Sequence, residues 1–251
     1  VFNYAAEPYI PVSFERPLHV FNINTFAALK VMNAAQEKRG GIKGILQISS
    51  AEIYGNVTKG KIGEKSPVIP HSTYGASKAA IDSMVQIRWR ESQVPVIACR
   101  QFNCLGERET HPYVIPEIIQ QISSKLRGGK DMQEVKIRLG NNSFRDFQYA
   151  GDAVAMAVEL LEKGEFGEIY NMGSEDGLQI YELAGLIGRL MGVSVEVVEE
   201  EFRKRPWEIW HLQSDNTKLY RTIERRPEVD LEQALKRTIA WFKENGSKWD
   251  F

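Results

Sequence analysis

Tyr74 and Lys78 stand four residues apart, the spacing that puts two side chains on one face of a helix. An ammonium close to a phenol favours the phenolate. It draws down a pKa that starts near about 10 and makes the tyrosine a usable base near neutral pH. Alone, such a pair is equally an ordinary solvent-facing couple. Its surroundings give it weight: an apolar run ends in Ser49-Ser50, a polar loop follows, and a helix opens with Ser72-Thr73-Tyr74-Gly75-Ala76-Ser77-Lys78.

The pattern along the chain predicts the elements that position these groups. Residues 1–4 read as a short strand ending in Ala5-Ala6-Glu7-Pro8. A helix is expected over 24–36, where Phe26, Leu29, Val31, Met32 and Ala35 make a broad apolar face. Strands are expected over 42–48, 94–100 and 168–171, with a Gly- and Pro-rich loop over 55–71. Further helices are expected over 74–92, 114–127, 152–163, 181–191 and 231–245. Asp152 is the expected N-cap of its helix, and Gly164, Gly192 and Gly246 are expected stops. Strands alternating with helices imply βαβ units, an α/β fold and a doubly wound parallel sheet. Ligands bind beyond the carboxyl ends of such strands. Ala5-Ala6, Ser49-Ser50, Gln101-Phe102-Asn103 and Asn171-Met172-Gly173-Ser174 fall at those ends.

Composition narrows the partners. With 43% apolar and 26% charged residues the chain is an ordinary soluble protein. A net charge of −1 gives no reason to expect nucleic acid or an anionic membrane as partner. No apolar run approaches the roughly 20 residues of a membrane span, and Val1-Phe2-Asn3-Tyr4 lacks the marks of a secretory leader. Cys99 and Cys104 are too close in sequence to staple a fold, and no further cysteine completes a zinc set. Both read as reduced, small, buried residues in a cytoplasmic protein with no metal centre.

The motifs resemble, in order, those of the extended short-chain dehydrogenases, in the NAD-dependent branch of nucleotide-sugar epimerases and dehydratases. They are Ala5-Ala6-Glu7, Ser49-Ser50-Ala51-Glu52-Ile53-Tyr54-Gly55, the Tyr74/Lys78 helix and Arg100-Gln101-Phe102-Asn103. Val114-Ile115-Pro116, Arg145-Asp146-Phe147, Tyr170-Asn171-Met172-Gly173-Ser174 and Arg203-Lys204-Arg205-Pro206 complete the set. The stretch Arg108 to Tyr113 resembles the substrate-lobe entry of dehydratases acting on nucleotide-linked N-acetylglucosamine. A lone histidine such as His111 within it is more often a structural hydrogen-bonder than a catalyst.

The resemblance implies a Rossmann-type sheet with a smaller α/β substrate lobe. It assigns residues 1–105 and 146–175 to the NAD-binding part and residues 106–145 and 176–251 to the lobe. Tyr74 then takes the proton of a sugar 4-hydroxyl as hydride leaves C4 for NAD. Lys78 lowers its pKa and holds the nicotinamide ribose, and Ser50 shares a hydrogen bond with the 4-oxygen. Ala5, Ala6, Ser49 and Gln101 become NAD neighbours. Asn103, Val114 and Asn171 become substrate contacts, and Arg145 and Arg205 clamp the diphosphate, a task for which guanidinium forks suit better than lysines. The partner implied is a UDP- or GDP-linked sugar, and a homodimer through the helices at 24–36 and 74–92 is expected.

Glu52 discriminates among reactions. In the 4,6-dehydratases an acid at this place removes the C5 proton once C4 is a ketone; simple 4-epimerases usually lack it, and related decarboxylases carry it. Ala51 departs from the dehydratase pattern, because many dehydratases have Asp or Ser there and alanine cannot protonate a leaving hydroxyl. A 4,6-dehydratase is the leading expectation, with a 4-epimerase, 4-ketoreductase, decarboxylase or inactive remnant as alternatives. The family's G-x-x-G-x-x-G phosphate loop and its ribose-reading residue do not occur in these 251 residues. The expectation is that roughly 60–70 residues, about two βα units, precede the sequence.

Overall fold

The computed structural model describes residues 1–38, 41–56, 60–110, 112–127, 133–205 and 207–246. His111 and Pro206 lie outside them. The central sheet is fully parallel in the order β1 (Phe2–Asn3), β2 (Ile45–Ser50), β3 (Val96–Gln101) and a fourth strand, Ile169–Met172. Every residue of β2 is buried, as a strand covered on both faces requires. Ala28, Met32, Ile81 and Val85, from α3 (Ala27–Glu37) and α4 (Thr73–Ser92), pack on one face of the sheet. Ala153, Met156, Ala157 and Leu160, with Leu219 and Ile223, pack on the other.

The helical layer before α3 begins earlier than the sequence suggests. In place of a single helix over 24–36, α1 (Ile10–Glu15), α2 (Pro17–Phe21) and a π-turn (Asn22–Phe26) lead into α3. Pro11 and Pro17 sit in first turns, where a missing N–H is harmless, so they start helices instead of breaking one.

After β3 the chain adds β4 (Asn103–Leu105), α5 (Val114–Leu126), β5 (Glu134–Leu139), β6 (Phe144–Tyr149) and α6 (Ala150–Lys163). Then come β7 (Ile169–Met172, the fourth strand above), β8 (Gly177–Gln179), α7 (Ile180–Met191), β9 (Ser194–Glu199), β10 (His211–Leu212), α8 (Thr217–Thr222) and α9 (Leu231–Asn245). A second sheet runs β10-β6-β4, with β8 antiparallel to β6, and β5 pairs with β9 in parallel. A separate apolar core fills the space among α5, α7, α9 and β5, led by Ile118, Ile122, Val135, Ile137, Leu183, Ile187 and Leu235. Leu219 and Ile223 bring the α8 segment back to the central sheet.

Asp152 is not the N-cap of α6. Tyr149 holds that place, because β6 runs directly into the helix. The Asp152 carboxylate instead accepts the N–H groups of Glu228 and Val229 at 3.1 and 3.0 Å. Gly164, Gly192 and Gly246 stand at the expected helix ends, Gly192 in the left-handed region with φ 86°. Both cysteines are free, Cys99 buried and Cys104 half-buried. Among the described residues no helix is long and apolar enough to cross a membrane.

Candidate active site

Strand register brings the predicted residues to one edge. Ser50 pairs with Gln101, and Gln101 with Met172, so three strands end level. Beyond Ser50 the chain turns through a 3-10 segment, Ala51–Tyr54, with the Ser50 hydroxyl accepting the Glu52 N–H at 3.2 Å. Opposite, Ser72 caps α4 by accepting the Gly75 N–H at 3.0 Å, which starts the helix just before Tyr74. Helix and turn touch at Gly75: a Cβ there would meet the Glu52 carbonyl oxygen at 2.9 Å. Glycine at this point lets Glu52 and Tyr74 share a site.

Tyr74 is buried and shares a hydrogen bond with Ser50, while the charges of Glu52 and Tyr113 act on its phenol. Burial dominates and pushes the phenol well above its ordinary value. In this setting burial outweighs the pull that the Lys78 ammonium exerts on the phenol. The ammonium donates to the Ile48 carbonyl at 3.0 Å and lies 5.8 Å from the Tyr74 ring centre. Burial lowers Lys78 itself to about 8, opposed by Asp82. Burial also raises the Glu52 carboxyl above the usual range, against the charges of Arg145, Arg205 and His71. Glu52 thus joins the Tyr74 pair to the arginines.

The arginines differ. Arg145 is buried, donates to Glu208 at 2.6 Å and to its neighbour's carbonyl, that of Phe144, at 2.9 Å. Arg205 is exposed. The adjacent Asp146 turns inward and accepts from Ser174, Glu175 and Ser214, which ties the loop after β7 to the segment after β10. Asn56 holds the strap that carries Glu208, donating to the Glu208 carbonyl and accepting the Trp210 N–H, both at 2.8 Å.

Two predicted contacts are corrected. Asn171 is fully buried: its side chain accepts from the Tyr54 hydroxyl at 2.6 Å and donates to the Ile62 carbonyl at 2.7 Å, so it faces the scaffold. Ser49 points into α4, its hydroxyl donating to the Lys78 carbonyl at 3.4 Å, as strand alternation from Ser50 requires. Ala5 and Ala6 follow β1, exposed and half-buried, on a loop that Asn24 holds through both the N–H and the carbonyl of Glu7. Asn103 and Val114, at the starts of β4 and α5, are half-buried. Gln101 donates to the Met172 carbonyl and to Gln148, and its own Oε1 is buried with no partner. An unshared acceptor beside Ser50 fits a cofactor carboxamide. Tyr113 closes the stretch that resembles a substrate-lobe entry, whereas no motif marks Glu208 or His71, which join the site through contacts between segments distant in sequence.

A parallel sheet whose carboxyl edge carries Ser50 above a Tyr–Lys helix defines an extended short-chain dehydrogenase. Residues 1–238 match the GDP-mannose 4,6 dehydratase family, and the chain belongs to that family. It is 28% identical to the dTDP-D-glucose 4,6-dehydratase of Mus musculus over 99% of this chain and 69% of that protein. It is likewise 28% identical to the GDP-6-deoxy-D-mannose reductase of Pseudomonas aeruginosa over 96% of this chain and 79% of that protein. A dTDP-glucose 4,6-dehydratase from Streptomyces venezuelae, solved with NAD bound, superposes with a TM-score of 0.86 at 25% identity, covering 99% of this chain and 74% of that one.

Proposed function

We propose that the chain carries the catalytic centre of an NAD-dependent nucleotide-sugar 4,6-dehydratase, a cytoplasmic lyase. The observation that carries this reading is Glu52, a half-buried carboxyl held above its usual range by desolvation and acting on the same phenol that Ser50 hydrogen-bonds. Bound NAD supplies the hydride acceptor at C4 and later the donor at C6. Lys78, Gln101, Ala5 and Ala6 hold it.

Tyr74 removes the proton of the 4-hydroxyl, and Ser50 steadies the 4-oxygen. The ketone acidifies C5–H, which Glu52 removes as hydroxide leaves C6. A carboxyl held above its usual range by desolvation takes a proton more readily than a free carboxylate does. With Ala51 buried in an apolar cluster, Glu52 is the group on its turn able to protonate the departing oxygen as water. Hydride then enters C6, the proton that Tyr74 took from the 4-hydroxyl ends at C5 by way of Glu52, and no net oxidation remains. Arg205 and Arg145 receive the diphosphate of a UDP- or GDP-linked sugar, with Asn103 and Val114 lining its path. In the division proposed, residues 1–105 and 146–175 serve the cofactor and residues 106–145 and 176–251 the substrate.

The test is Glu52→Gln. The variant should still oxidise C4, seen as the near-ultraviolet absorbance of bound reduced cofactor. It should form no 4-keto-6-deoxy sugar and exchange no solvent deuterium into C5. Loss of a general base costs about 10²–10⁴-fold. Undiminished formation of the 6-deoxy ketone would sink the assignment. Ala51 favours one second reading, a 4-ketoreductase, which needs Tyr74 and Lys78 but no acid at either position. Net consumption of reduced cofactor by a 4-keto sugar, with Glu52 dispensable, identifies it.

A further inference from the structure

A buried polar chain runs behind the site and joins its two halves. Asp82 follows Lys78 by one turn of α4 and is 4% exposed. Its Oδ2 accepts from Arg100 Nε at 2.7 Å, and its Oδ1 is buried with no hydrogen-bond partner. Arg100 Nη1 donates to the Tyr54 hydroxyl at 2.7 Å and to the Glu64 carbonyl at 3.1 Å. Tyr54 closes the turn that carries Glu52 and donates to Asn171 at 2.6 Å. A buried ion pair seldom stabilises a core more than apolar residues of similar volume do. This one starts one helical turn beyond Lys78 and ends on the turn that carries Glu52.

We propose that Asp82 is a positioning residue: set one helical turn beyond Lys78, it fixes the turn bearing Glu52 through Arg100 and Tyr54 and keeps that turn in register with the Tyr74–Lys78 face of α4. The inference rests on the roles given to Lys78 and Glu52 above. The titratable and charged groups around Lys78 are Tyr74 and Asp82 on α4, Arg100 on β3, and Glu52 and Tyr54 on the turn. Of these, Asp82 is the one whose charge acts on the ammonium, and it does so in the direction that opposes burial.

The sign follows. Lys78 is lowered by burial to about 8, so its charge is present below that value and lost as pH rises through it. Without the Asp82 charge the loss comes at lower pH. In Asp82→Asn the Lys78 Nζ resonance, assigned by its absence in Lys78→Arg, should titrate at least about one pH unit lower in the cofactor-free chain, a tenfold change. The alkaline limb of kcat/KM should move with it, KM for the nucleotide sugar changing little. Asp82→Glu should restore both.

The single substitution Asp82→Asn leaves a buried guanidinium unpaired and can prevent folding. The double variant Asp82→Asn/Arg100→Gln removes both charges, and Arg100 is not among the groups acting on Lys78, so the same downward shift is expected. Tyr54→Phe cuts the chain at its other end. It should lower kcat about tenfold through the loosened turn while the Lys78 titration stays put. A folded Asp82→Asn or double variant with an unmoved Lys78 titration overturns the proposal, as does an unchanged kcat in Tyr54→Phe. The NMR readout needs no turnover, so it stands even if the reaction proves to be a reduction.

Discussion

At the scale of single residues, the environment decides what a motif residue does. Tyr74 and Lys78 have the expected spacing, yet burial raises the one and lowers the other. Tyr74→Phe should abolish turnover while calorimetry finds nucleotide-sugar binding nearly intact, since the phenol acts only in the transition state. More than a few per cent of wild-type kcat would remove Tyr74 from its role. The arginines should part company. Arg205→Ala removes an exposed side chain, so folding should be unaffected, and nucleoside diphosphate affinity should fall by about 1.5–3 kcal/mol, roughly 10–150-fold. Arg145→Ala strands Glu208 in a buried site, a loss of about 3–5 kcal/mol of stability. Denaturant titration separates the two, and equal melting temperatures for both variants would contradict the assignment.

At the scale of elements, the turn from β2 to the active-site loop is the most constrained. Gly55 ends it at φ 63°, ψ −147°, a region open only to glycine, and a Cβ there would meet the Ile69 carbonyl oxygen at 2.0 Å. Gly55→Ala should cost about 2 kcal/mol or more and lower kcat, because the Glu52 turn must move. A variant of wild-type stability would show that the loop yields freely. Elements with strong local signals were legible in the sequence. α7 and α9 have both an apolar period and a glycine stop in the expected place, α4 is marked by its opening Ser72-Thr73-Tyr74 run, and β3 has an unbroken apolar centre. β4 and β8 span three residues each, too few to show a period. β5 alternates cleanly, but its partner β9 lies some sixty residues on, and no local rule proposes that pairing. The same limit applies to the site. Ser50, Glu52 and Tyr74 follow strand and helix ends and were readable, whereas Glu208 and His71 enter through tertiary contact. Asn171 sat at a strand end as expected but on the side that faces the scaffold.

At the scale of the molecule, the chain exposes 12957 Å². A compact monomer of 28.6 kDa exposes about 11,300 Å². The excess, about 1,700 Å², is more than the roughly 800 Å² that one partner of a standard interface covers. Apolar side chains stand out on α2, the π-turn and α4: Leu18 is 81% exposed, Phe26 53% and Ile87 37%. Arg88 ties α4 to α3 by donating to Asn33 and Gln36. A homodimer through the helices at 24–36 and 74–92, if formed on this face, would draw on α2 as well. Light scattering should find two copies at micromolar concentration. Leu18→Glu with Phe26→Glu should give a folded monomer, since each places a charge where apolar contact is required. A wild-type monomer, or a dimer indifferent to both substitutions, would move the interface elsewhere. Because α4 carries Tyr74 and Lys78 on its other side, dissociation should also reduce kcat, and adding wild-type chain to the variant should not restore it.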